Sequence, residues 1–374
     1  TRTLTKSFQV QWQDKYTFTV EEEQTVELPP FAIFTSGNIT MNGSGKIVGD
    51  IATTSTKTKS INLSGGNVSL HGDIYVPNGT KTIVHTNKLS PVVKQLDATL
   101  SIPEFPKYPD VPSDYTIPGN VVTSYSVQNQ RLLANNQHNK NANYTVEDNL
   151  YFKEILVDKK SNLTFHVGND DYYIVVDRLN VKQGNIRVIG EGSLAIYIKK
   201  KMDIGWGSII NEHIDVCNLV NPVSKLNIFY PGSETISLNG HRKIYASIFA
   251  KTANLKVTGN GKFVGNFFTG GNSIDIAGNA DENLAQLLFA PNATVSRGGG
   301  GSFKGKIIAK NTEIKGGGVV EYADVQLSNG PISPSALGFT NTGGAGGGDG
   351  HHHVIKVPTG ANPIINKSQL YEEN

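Results

Sequence analysis

The sequence predicts an all-β chain: a parallel β-helix (β-solenoid) with a proline-rich insertion and few short helices. Three observations predict it. A nine-residue unit recurs, as GSGKIVGDI at 43–51, GNVSLHGDI at 66–74, GNGKFVGNF at 259–267 and GGGSFKGKI at 299–307. Each copy has Gly at its first and seventh places and an apolar residue at its fifth and ninth, and GEGSLAIYI at 190–198 keeps part of the pattern. The surrounding segments alternate apolar and polar residues over four to six positions between Gly and Asn, the signature of short half-buried strands. Glycine supplies 40 of the 374 residues, well above the roughly 7% of ordinary proteins, so corners must be frequent.

The copies begin at 43, 66, 259 and 299, spacings of 23 and 40 residues, near one and two coils of a solenoid. One such coil cannot bury its own apolar side, so coils must stack into a continuous core. That places Ile47, Leu70, Phe263 and Phe303 inward and assigns the glycines to corners. A phosphate-binding loop would need a preceding strand, a following helix and a Lys-Ser/Thr pair, which GNGKFVGNF lacks.

In chain order, residues 1–30 read as lead-in strands (FQVQW, YTFTV) and 31–100 as the first coils. Residues 101–145 combine an extended proline-rich connector, IPEFPKYPDVPSDYTIPG, with a polar stretch at 129–145 that is expected to loop out. The main solenoid follows at 146–327, and 328–374 form a Gly-rich linker and C-terminal tail. The best helix candidates are 147–157 and 281–288.

The net charge of +2, spread evenly, argues against nucleic acid as a partner. Cys217 is the sole cysteine, which excludes an intramolecular disulfide and a cysteine-based zinc cluster. No apolar run is long enough to span a bilayer. The chain starts TRTLTKSFQV without Met, a start compatible with a removed signal or anchor, and any membrane link would run through a segment absent from this sequence.

On these motifs the chain resembles known surface proteins. LLFAPNATVSRGGGGSFKGKIIAKNTEIKGGGVVEYADV (287–325) and IYASIFAKTANLKVTGNGKFVGNF (244–267) resemble an uncharacterised bacterial family of β-helical surface and type IV pilus-associated ectodomains, of minor pilin kind. FAIFTSGNITMNGSGKIVGDIAT (31–53) resembles the opening coils of ice-binding-like β-solenoids. The resemblance implies a non-enzymatic, extracellular bacterial surface or appendage subunit, with other surface or pilus subunits, or a glycan or host surface, as partners. It implies neither a cofactor nor catalytic residues.

Two alternatives compete. A polysaccharide lyase or hydrolase would need carboxylates gathered on one face. The acids Asp170, Asp171, Asp203, Asp215, Asp275, Asp281 and Glu282 show no repeated spacing, and Asn239-Gly240-His241-Arg242-Lys243 only faintly resembles a galacturonate-hydrolase motif. A bactofilin-like polymer would assemble end to end. His351, His352 and His353, with Asp349 nearby, are weak metal-ligand candidates, since neighbours on an extended chain point to opposite sides. Trp206 with Tyr172 and Tyr173 is the candidate glycan contact, against the plainer reading of core or cap aromatics. Thr17-Phe18-Thr19 and Thr56-Lys57-Thr58 do not recur at the coil spacing, as an ice-binding face would require.

Overall fold

The computed structural model describes residues 3–9, 15–22 and 353–354, and residues 27–339 except 80, 88, 119–125, 137, 212–221, 278–283, 326 and 328–334. Two compact units result. One comprises Thr1–Glu27 with Thr340–Asn374, the other Leu28–Phe339. In the first, Thr3–Gln9 pairs antiparallel with Lys15–Glu22, which also pairs with His353–Val354.

The second unit is a parallel β-solenoid. Its first coil uses Ile33–Thr35, Ile39–Met41 and Lys46–Val48, and these lie in register on Ile51–Thr53, Ile61–Leu63 and Ser69–His71 of the next. In these coils the strands are short because the chain turns after three residues, and alternation then sends two side chains inward and one outward. The fifth-place residues follow this rule. Ile47, Phe263 and Phe303 are buried and Leu70 packs against the same core.

Coil order does not follow the sequence. The Ser302–Ile314 and Val319–Tyr322 strands, late in the chain, stack directly on the first coil, pairing Ile307 with Ile33, Thr312 with Ile39 and Val320 with Ile47. The stack therefore runs from Arg131–Ala134 through Leu150–Val157 and the later coils to Ser302–Ile314, and only then through residues 33–95. Between its two blocks of coils the chain must travel back along the whole stack, and the proline-rich connector makes that journey.

The connector packs against an outward apolar stripe. Phe229 lies between Ile228 and Tyr230, both of which join the interior core, so its ring points out. In register with it stand Tyr197, Phe249, Phe268 and Phe289. Tyr197 and Phe229 stack at 4.3 Å with planes 4° apart. Phe105 of the connector covers Phe249 at 5.2 Å and Phe289 at 6.3 Å, and Tyr108 covers Phe249 at 5.9 Å. With both sides of these strands buried, alternation disappears, as in any parallel sheet covered on two faces.

Corner polar residues tie coil to coil. Asn185 Nδ2 donates to Asn162 Oδ1 and Asn162 Nδ2 to Asn141 Oδ1, both at 2.8 Å, an amide ladder along one edge. Asn211 Oδ1 accepts from the Val188 amide, and Asn266 Oδ1 from that of Leu287. These bonds satisfy backbone groups that the corners would otherwise strand.

Two expectations need correcting. Residues 147–157 are not helical, since Leu150–Val157 is a strand, and the second helix candidate ends in the strand Gln286–Arg297, which takes its last three residues, while its residues 281–283 lie outside the described residues. Burial of LYFKEILV between neighbouring coils overrides its helix propensity. Among the described residues only short 3-10 turns occur, at Pro77–Gly79, Lys81–Ile83 and Pro222–Lys225. Residues 129–145 do not loop out either. They supply Arg131–Ala134 and Asn141–Thr145, paired in parallel with later coils, because Leu132, Ala134 and Ala142 are enough to fill the interior while Asn141 faces out into the ladder.

Where the last coil meets the start of the solenoid, Lys306 is almost fully buried. Its Nζ donates to the Leu28 carbonyl at 3.3 Å and lies 3.2 Å from Asp324, whose Oδ1 also accepts from the Tyr322 hydroxyl at 2.5 Å. The Tyr322 hydroxyl, then Lys306, hold the Asp324 carboxyl below its ordinary value of 3.8. A depressed pKa stabilises the fold above the unfolded value, and that contribution is lost as the pH falls through the folded one. Acid titration of thermal stability is therefore expected to show a smaller loss below about pH 4 in Asp324→Asn than in the wild type. Equal losses would mean that the junction does not depend on this carboxylate.

Candidate functional site

The candidate residues fall at three places. Asp349, His351 and His352 lie outside the described residues, as do Asp215, Cys217, Asp281 and Glu282, and His353 is placed only by its backbone pairing with Glu22. Among the described residues no group of three His, Cys, Asp or Glu side chains is arranged to hold a metal.

Tyr172 and Tyr173 open the Tyr172–Val181 strand, whereas Trp206 follows the far end of the neighbouring Leu194–Ile204 strand. The long strands thus separate the residues that the sequence grouped as one platform. Tyr172 packs partly against the interior core, and the Tyr173 hydroxyl donates to the Asp114 carbonyl of the connector. Desolvation pushes both phenols up from their ordinary range. Tyr173 is a fastener for the connector, and its ring meets that of Tyr197 edge-on at 6.0 Å.

Trp206 is different, with 59% of its surface exposed. It sits in the Gly205–Gly207 corner, where Gly207 takes φ +72°. Gly240 underlies its pyrrole edge so closely that a Cβ there would come within 3.1 Å of the indole. The next residue, His241, stands perpendicular to the indole at 5.6 Å. The same turn carries Arg242 into a cleft of about 180 Å³ lined by Asp203, Tyr230, Glu234, Thr235 and Ser237. Arg242 donates to the Asn239 side chain and, at 3.5 Å, to the Ser237 carbonyl, while its buried Nε has no hydrogen-bond partner. Asp203 pairs with Lys201 at 3.0 Å, both groups about half exposed.

A second cleft, of about 380 Å³, opens between Lys107–Val111 of the connector and Lys199, Pro231 and Lys251. It is wide and mostly apolar. The Tyr108 hydroxyl is buried without a partner, and burial pushes its pKa upward. The lysines point apart: Lys107 engages Asp110 at 3.3 Å and Lys199 lies over the Tyr151 ring.

The other acids named from sequence are dispersed. Asp171 Oδ1 accepts from the Ser193 amide, and Asp275 stands in register between Lys256 and Ser296 on an outward column. That column continues through Glu313, Thr40, Asn62 and His85, a mixture of charges and amides rather than ranks of threonine. The sequence reading missed the cleft because Asp203, Glu234 and Arg242 are scattered over 40 positions. Only the tight GWG and NGHR corners hinted at it.

No curated protein matches the chain. Among solved structures, a glycosylated ice-binding protein from an Arctic yeast aligns over 83% of this chain and 99% of its own, at 9% identity and a TM-score of 0.21, too low to carry an argument. The pilus-associated part of the sequence resemblance has no support among these comparisons. Residues 112–287 match the family described as "Domain of unknown function (DUF7305)". The chain is thus identified by its architecture, a parallel β-solenoid that contains a stretch similar to a domain with no assigned activity.

Proposed function

We propose that the chain is a non-enzymatic bacterial surface or appendage ectodomain that presents a rigid solenoid for adhesion or assembly. One observation supports this most: the solenoid unit is closed on itself by chain topology. The first coil is clamped on the last, the connector fastens the flank, and the two ends of the unit lie within a few rungs of each other, with Phe31 on Phe34 at 5.5 Å and Phe339 on Phe289 at 5.7 Å. Chain ends that leave the solenoid unit close together suit attachment at a single point, as display of a rigid body requires. Rigidity comes from backbone ladders and a continuous core, without disulfides.

Antibody labelling of intact, unpermeabilised source cells tests the reading. Label on the surface or along filaments is the expected result. Label only after permeabilisation would overturn it and favour an internal polymer of the bactofilin kind.

A further inference from the structure

The Trp206 corner and the cleft beside it have the composition of a saccharide site. A pyranose offers two kinds of surface, an apolar face of C–H bonds and a rim of hydroxyls that both donate and accept. An exposed indole backed by a glycine corner matches the first. Two carboxylates that only accept and a guanidinium that only donates match the second. Gly240 backs Trp206, and two residues further on Arg242 enters the cleft that Asp203 and Glu234 also line.

Size and charge narrow the ligand. The cleft volume of about 180 Å³ is below the roughly 300–1,000 Å³ of sites that enclose whole drug-sized ligands. It fits one ring, with the rest of a chain lying outside over the exposed indole. Lys201, 3.0 Å from Asp203, and Arg242 together balance Asp203 and Glu234, so a uronate or sialate would bring an uncompensated carboxylate at an electrostatic cost. A neutral sugar meets no such cost. Among the described residues the unpartnered Arg242 Nε is one of the few buried donors left without an acceptor, and a ligand hydroxyl would satisfy it.

We propose that the cleft formed by Asp203, Glu234 and Arg242, with Trp206 on the adjoining corner, binds one neutral hexopyranose unit of a glycan. This deepens the adhesive reading, on which it rests for its biological meaning but not for its test. The site depends on the corner at 239–242 being fixed, since that turn supports the indole and aims the guanidinium together.

The test is titration of the full chain with methyl α- and β-glucopyranoside, galactopyranoside and mannopyranoside, followed by indole fluorescence and by calorimetry. Saturable binding of at least one glycoside is expected, at the millimolar affinity of single sugars. Trp206→Ala and Arg242→Gln should each weaken it about tenfold or more, a loss of about 1.4 kcal/mol, while Trp206→Phe retains part of it. Melting temperatures of all three variants should stay close to wild type, because Trp206 is largely exposed and half-buried Arg242 bonds only to acceptors within five residues of itself. Binding unaffected by Trp206→Ala and Arg242→Gln would overturn the placement. Saturation by none of the glycosides, or by galacturonate alone, would overturn the ligand class. Surface labelling decides the display reading separately, so either can fail without the other.

Discussion

Gly305→Ala is expected to destabilise the solenoid by upward of about 3 kcal/mol, whereas Gly259→Ala is expected to cost only about 1 kcal/mol. Both glycines belong to the nine-residue repeat, at its seventh and first places respectively. Gly305 has φ +138°, and a Cβ there would lie 1.9 Å from the Gln286 carbonyl oxygen of the neighbouring coil. Two penalties then act together: a backbone conformation closed to L-residues, and an overlap with backbone that no rotamer relieves. Gly259 has φ +60° with no atom within 4 Å of its Cβ, so only the left-handed conformational cost remains. Urea unfolding of the two variants measures the difference directly. Equal costs would mean that the repeat's glycines serve the turn alone, and that coil spacing tolerates a methyl group at the seventh place.

Phe249→Ala should cost about 3–5 kcal/mol, the range for removing a fully buried aromatic ring. Phe249 is 1% exposed and touches Phe229, Phe268, Phe105 and Tyr108. Its loss opens a cavity beneath the connector and also loosens the connector itself. Phe105 is only half-buried, so Phe105→Ala should cost less, about 1–3 kcal/mol. The double variant should cost less than the sum, since each ring is the other's partner. Chemical denaturation of the three proteins gives the coupling. Strict additivity would show that the connector rests on the stripe without stabilising it.

Local features of the solenoid were legible in the sequence. The repeat placed Ile47, Phe263 and Phe303 inside because a strand's period of two carries its own orientation. The glycines at its seventh place were legible as special, though not as sites of coil-to-coil contact rather than of turning alone. Coil order was not legible. Nothing local in Ile33 or Ile307 says that they pair across more than 270 positions, since every coil offers the same apolar edge to every other. The outward stripe was hidden for a related reason: Phe229 and Phe249 read as ordinary members of apolar runs until the connector that covers them is in place. At the candidate site, Trp206 was legible as a candidate glycan contact, and its exposure came only with the structure. Its grouping with Tyr172 and Tyr173 failed because long strands separate them, and its association with Arg242 and Asp203 depends on tertiary contacts alone.

The stacking of the first coil on the last has a consequence for biogenesis. In an ordinary solenoid each new coil settles on the one made just before it, so an open edge is short-lived. Here the Ile33–Thr35 strand emerges early but its second neighbour, Ser302–Ile314, is synthesised near the end. The amide of Asn38 likewise waits for the Asn311 side chain, 273 residues later. Throughout synthesis the early coils carry an uncovered parallel edge able to pair with another chain. Folding of the whole unit must then close a loop of most of the chain's length, which makes the final docking slow relative to coil formation. A nascent chain of this kind gains from being held unfolded until its last coil is made, and its yield should fall with chain concentration more steeply than its stability would suggest.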